Sequence, residues 1–78
     1  MDMQEITKGE YIDLIKSYGG YERLRVHSTF TIAKETELPD GDTSREEHII
    51  TEWSLPDSNK PILRYERKGE IERYWRYE

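Results

Sequence analysis

No cysteine occurs in the 78 residues. Disulfides, thiolate metal sites and cysteine nucleophiles are therefore excluded, and a domain this small without a covalent staple fits a reducing compartment. Long apolar runs are missing too. The sequence offers neither a membrane span nor a signal-peptide core, so a cytoplasmic location without a membrane partner is expected. There is no nucleophile elbow, no phosphate loop and no Ser/His/Asp order. Carboxylates are abundant, but a catalytic one needs a pocket that shifts its pKa, and one thin sheet with a short helix has little depth for that. The expectation is a protein that is not an enzyme, with no catalytic residues and no cofactor.

Charged residues make up 37% of the chain and hydrophobic ones 33%, a balance that alone permits disorder. The 12% aromatic content argues the other way, because each Tyr or Trp removes a large area from water. The length fits a single domain over residues 1–78, burying about 60–65% of its unfolded surface, with a stability of about 3–5 kcal/mol. The net charge is −5 and unevenly spread: residues 1–59 carry −7 and residues 60–78 carry +2. The sharpest acidic stretch is ETELPDGDTSREE, residues 35–47, with six acids against Arg45. Such asymmetry steers partners without identifying them.

A helix is expected over about residues 7–18. Thr7 and Glu10 have the spacing of a capping box, Ile6 and Tyr11 that of a hydrophobic staple, and Tyr11, Ile12, Leu14, Ile15 and Tyr18 form one stripe. Gly19-Gly20 ends it. Period-two alternation then predicts strands over about 21–34, 46–55, 61–67 and 70–77. The first strand is long enough to require a bend or bulge, with Leu24, Val26, Ser28, Phe30 and Ile32 on the helix side. In the second, Ile49, Thr51, Trp53 and Leu55 turn inward. The fold class is α+β: an N-terminal helix packed on one face of a four-stranded antiparallel sheet in α-β-β-β-β meander order, the other face open. The expected core is Tyr11, Leu14, Ile15, Leu24, Val26, Phe30, Ile32, Trp53, Leu63, Ile71 and Trp75.

The turn between the last two strands sets which residues share a face. A three-residue loop, Arg67-Lys68-Gly69, places Leu63, Tyr65, Ile71, Trp75 and Tyr77 together toward the core and Arg64 opposite Glu72. Ile62, Arg64, Glu66, Glu72, Tyr74 and Arg76 then lie on the open face. A two-residue turn at Lys68-Gly69 would set Arg64 against Arg73, and the division would reverse.

Candidate chemistry follows from these faces. His27, His48 and Glu52 share the open face but lack tight ligand spacing, and the Asp40, Asp42, Ser44 run lacks the glycine and final acid of a calcium loop. No metal site is expected. Arg23, Arg25, His27, Arg64, Tyr74 and Arg76 have the composition of a single-strand nucleic-acid surface, opposed by Glu52, Glu66 and Glu72 and by the acidic total. The same residues with Ile50 and Ile62 suit a protein interface, and Asp40 and Asp42 in the acidic loop offer a second contact. The preferred reading is a small protein-binding module. Its size and acidity are shared with inhibitors and regulators carried by phages and mobile elements, an analogy of composition only. Nucleic-acid binding is the alternative. A homodimer through the open face or the last strand would add burial to a small core.

Overall fold

The computed structural model describes residues 2–78. Its elements run β1 (Met3–Ile6), α1 (Lys8–Ser17), a 3-10 turn (Tyr21–Arg23), β2 (Arg25–Glu37), β3 (Thr43–Ser54), β4 (Pro61–Lys68) and β5 (Ile71–Tyr77). The architecture is α+β with an N-terminal helix, but the antiparallel sheet has five strands in the order β1-β5-β4-β3-β2, where four were expected. The added strand, β1, is only 4 residues long and pairs with β5 from Met3↔Tyr77 to Ile6↔Tyr74. So short a run has no legible alternation. Its presence moves β5 to the sheet interior, which removes the last strand as a free edge for self-association.

Helix α1 begins as its sequence dictates. Thr7 Oγ1 accepts from the Glu10 amide at 3.1 Å, and Glu10 Oε1 accepts from the Thr7 amide at 3.3 Å, so two otherwise orphaned donors are satisfied. The helix ends where the Gly20 amide donates to the Ile15 carbonyl at 2.9 Å. Its stripe packs against β5. The core joins Ile6, Tyr11, Ile15, Leu24, Leu63 and Tyr74, with Leu14, Trp53, Ile62 and Tyr65 packed against it. No helix among the described residues is long and apolar enough to cross a membrane.

Two register features overturn parts of the expected core. The first is the bulge in β2: Val26 pairs with Trp53 but Ser28 with Glu52, so His27 is the extra residue. Alternation restarts there with the opposite sense. Ser28, Phe30 and Ile32 therefore face away from the helix, and Phe30 is 57% exposed instead of buried. Val26, beside the bulge, is also exposed. The second feature is the β4–β5 turn, which uses Gly69 and Glu70 and pairs Lys68 with Ile71. Gly69 has φ +60° and no other turn residue is positive. That is the φ pattern of a type II′ hairpin, which takes Gly at its first central position.

This register pairs Arg64 with Trp75 and Tyr65 with Tyr74, where Arg64 opposite Glu72 was expected. Tyr74 is thus a core residue, 8% exposed, and not an open-face residue. Trp75 lies on the open face, and Ile71 is 67% exposed. Arg76 shares the helix side with its neighbour Gln4, to whose Oε1 it donates at 3.0 Å. Glu72 also moves to the helix side, opposite Arg67.

Strands β2 and β3 extend past the rest of the sheet. β4 pairs with β3 only from His48 onward, while β2 pairs with it out to Thr43. The ladder runs past the expected strand ends at residues 34 and 46 and leaves 38–42 as the loop: Lys34↔Glu46 and Glu35↔Arg45 are opposite-charge pairs, and Thr36 faces Ser44. The arm they form gives the molecule its long dimension, 50 × 24 × 23 Å.

Candidate aromatic cleft

Helix α1 covers the β1–β5 side of the sheet and leaves the β3 side uncovered. Between the helix, the 3-10 turn and the sheet lies a cleft of about 840 Å³. Tyr11 reaches it from α1, Tyr21 from the 3-10 turn, Trp53 from β3, Tyr65 from β4 and Tyr74 from β5. The rings are packed in tilted pairs: Tyr11–Tyr74 at 4.8 Å, Tyr21–Trp53 at 5.3 Å and Tyr65–Tyr74 at 5.5 Å between centroids. Such geometry suits the aromatic quadrupole.

Two exposed carboxylates line the cleft, Glu22 from the 3-10 turn and Glu72 from β5, and the second is tied to the rings. Glu72 Oε2 accepts from the Tyr74 hydroxyl at 2.7 Å and from the Tyr65 hydroxyl at 3.1 Å. The Tyr74 bond, then the Tyr65 bond, hold the Glu72 pKa below its ordinary value, so the group is an anion near neutral pH. Burial, then the bond to Glu72, pushes the Tyr74 hydroxyl up to about 12. Burial likewise raises Tyr11 and Tyr65. Lys8 stands on the rim, where its ammonium adds to the pull on Glu72. The Trp53 indole N–H is buried near the Tyr11 hydroxyl but completes no hydrogen bond within the protein. The cleft thus combines five aromatic side chains, of which Tyr11 and Tyr74 are buried, with the exposed carboxylates of Glu22 and Glu72.

The opposite face is a charge network. Trp75 lies between the guanidiniums of Arg73 at 5.0 Å and Arg64 at 5.6 Å from its ring centroid. Arg73 forms a two-pronged bond to Glu5, at 2.8 and 3.0 Å. That contact raises the Arg73 pKa and lowers the Glu5 pKa. Arg64 reaches Glu66 at 3.5 Å, and Glu66 also meets His48 Nε2 at 2.9 Å. Glu52 accepts from Ser28 Oγ and from the Tyr77 hydroxyl.

The residues proposed from sequence scatter across this framework. Arg64 and half-buried Ile50 share the open face. Ile62 is the extra residue of a β4 irregularity between Pro61 and Leu63 and packs against the core. Arg25 is tied to the β3–β4 loop through the Ser58 carbonyl at 2.7 Å. Arg23 lies in the 3-10 turn and His27 in the β2 bulge. Asp40 and Asp42 are at the arm tip, where Asp40 Oδ1 accepts from the Asp42 amide at 3.0 Å. Tyr74 joins the cleft instead. Among the described residues no three His, Cys, Asp or Glu side chains converge as metal ligands. The other cleft residues escape sequence reasoning because they come from five separate elements, with no local spacing to mark them. No protein-family model, curated protein or solved structure matches the chain.

Proposed function

We propose that the protein is a non-catalytic binding module that takes a cationic side chain of a partner protein into the aromatic cleft. The observation that carries this reading is that anionic, solvent-facing Glu72 is held by the Tyr65 and Tyr74 hydroxyls on a cleft lined also by Tyr11, Tyr21 and Trp53. An ammonium or guanidinium over such faces gains about 0.5–2 kcal/mol per favourable ring contact, most when desolvated. Glu72 supplies the counter-charge, and the volume exceeds that of a single Lys or Arg side chain. A module of this kind acts by occupying its partner, as inhibitors and regulators do.

The test is an NMR titration with tripeptides whose central residue is arginine, lysine, trimethyl-lysine or glutamine. Saturable shifts at the Trp53 indole and Tyr65 with the cationic peptides, weakened about tenfold by Glu72→Gln, are expected. Lys8→Gln should tighten binding by freeing the rim. Equal response to the glutamine peptide, or none to any cation, overturns the reading.

Nucleic-acid binding on the opposite face would use Arg64, Arg73 and Trp75. Their guanidiniums already cover the Trp75 ring and engage Glu66 and Glu5. A phosphate would have to displace those carboxylates, so the cleft is the better-supported surface.

A further inference from the structure

Strand β2 is the outer strand of the sheet, and all 13 of its residues are exposed. Natural edges of this length are usually shortened, bulged, covered or broken by proline, because their free backbone groups template further pairing. Here the bulge lies at His27, near one end, and leaves Ser28–Glu37 regular and free of proline. The edge also carries exposed Phe30 and Ile32 on the open face.

Two hydrogen bonds define which residues face outward. The Glu47 carbonyl accepts from Gly69 and so points toward β4; Ala33, opposite Glu47, therefore directs its own backbone groups away from β3. The Leu38 amide donates to Asp42 across the arm tip, which gives the same parity. Thr29, Thr31, Ala33 and Glu35 thus offer N–H and C=O to the open edge.

The strand is self-complementary about Thr31, its middle residue. Arg25 and His27 lie toward one end, Glu35 and Glu37 toward the other. An antiparallel copy centred there sets Thr31 against Thr31, Thr29 against Ala33, Phe30 against Ile32 and Ser28 against Lys34, with the bulged His27 coming near Glu35. Parallel pairing in register would stack like charges instead. From this complementarity we infer that the chain forms a two-fold homodimer through β2, joining two sheets into one of ten strands. The two-fold axis runs midway between the two Thr31 residues, normal to the sheet, so both open faces lie on the same side and Phe30 and Ile32 of each copy form one apolar cluster. The pairing gives the protruding β2–β3 arm a neighbour it lacks as a monomer. It leaves the aromatic cleft free.

The absence of cysteine makes the register directly testable. Sedimentation of the full chain over about 1 µM to 1 mM should move from the 9.4 kDa monomer to twice that mass. Under mild oxidation Thr31→Cys should cross-link to itself, since directly opposed Cα atoms in a hydrogen-bonded pair lie about 5.5 Å apart, within disulfide reach. Thr29→Cys should not, because its counterpart is displaced four residues, roughly 13 Å along the strand. A mixture of Thr29→Cys and Ala33→Cys should cross-link. Thr31→Pro removes an outward N–H that β3 does not use and should weaken association at least tenfold. A chain that stays monomeric throughout overturns the inference, as does a dimer in which Thr31→Cys cross-links no better than Thr29→Cys.

Discussion

Tyr65 and Tyr74 stand directly opposite each other on β4 and β5, 5.5 Å apart at their ring centroids, and both hydroxyls donate to one oxygen of Glu72. This pair places Tyr74, rather than Trp75, under helix α1. Tyr74→Ala should therefore cost about 3–5 kcal/mol, comparable to the stability expected of a domain this size. Trp75→Ala, on the half-buried open face, should cost about 1–2 kcal/mol. Urea unfolding followed by circular dichroism separates the two, and the reverse ranking would mean that β5 is paired one residue away.

The same tyrosines set the alkaline limit. Tyr74 titrates near 12 in the folded state against an ordinary 10.0, so the unfolded chain loses its proton first. The stabilisation is complete below about pH 10 and is lost as pH rises from there toward 12, with Tyr11 and Tyr65 acting in the same direction. Urea midpoints measured from about pH 8 to 12 should fall over that window, and Tyr74→Phe should reduce the fall. On the acid side the lowered Glu72 pKa acts oppositely: its contribution is present above the ordinary carboxylate value and lost as pH falls below it.

Gly69 holds φ +60°, yet a Cβ there would meet nothing within 4 Å. The cost of Gly69→Ala is then backbone strain alone, about 1–2 kcal/mol. Thermal midpoints of Gly69→Ala and of the unsubstituted chain check this; equal midpoints would place the strain elsewhere.

The β2–β3 arm beyond His48 has no third strand beside it, and an isolated two-stranded ribbon is marginal in water. Hydrogen exchange at low protein concentration should show the amides of Thr36 and Ser44 exchanging at least about tenfold faster than those of Phe30 and Ile50. Raising the concentration should slow the arm amides as β2 finds its counterpart. Uniform protection at every concentration would contradict both the arm's independence and its self-pairing.

The alternating pattern of β3 was readable because no irregularity interrupts it between Ile49 and Trp53, and Trp53 does turn toward the helix side. The β2 pattern was equally regular but misled beyond His27. A bulge changes the parity of every later residue, and nothing in the RVHSTF stretch marks which residue is extra. The β4–β5 hairpin failed for a related reason. Arg64 opposite Glu72 is a favourable local pair, but the chain instead buries Tyr74 against Tyr11 and Ile6, a gain visible only once the helix and β1 are in place.

The split between what was legible and what was not follows the range of the forces. The capped helix, the α+β class, the antiparallel strands and the exclusion of cysteine chemistry rest on neighbours within a few residues, and the chain of letters settles them. Which aromatics are buried, that β1 closes one edge while β2 stays open, and that Glu72 comes to lie among tyrosines from distant elements all depend on pairing register. Register is settled by packing across the whole sheet, where a shift of one residue exchanges the two faces.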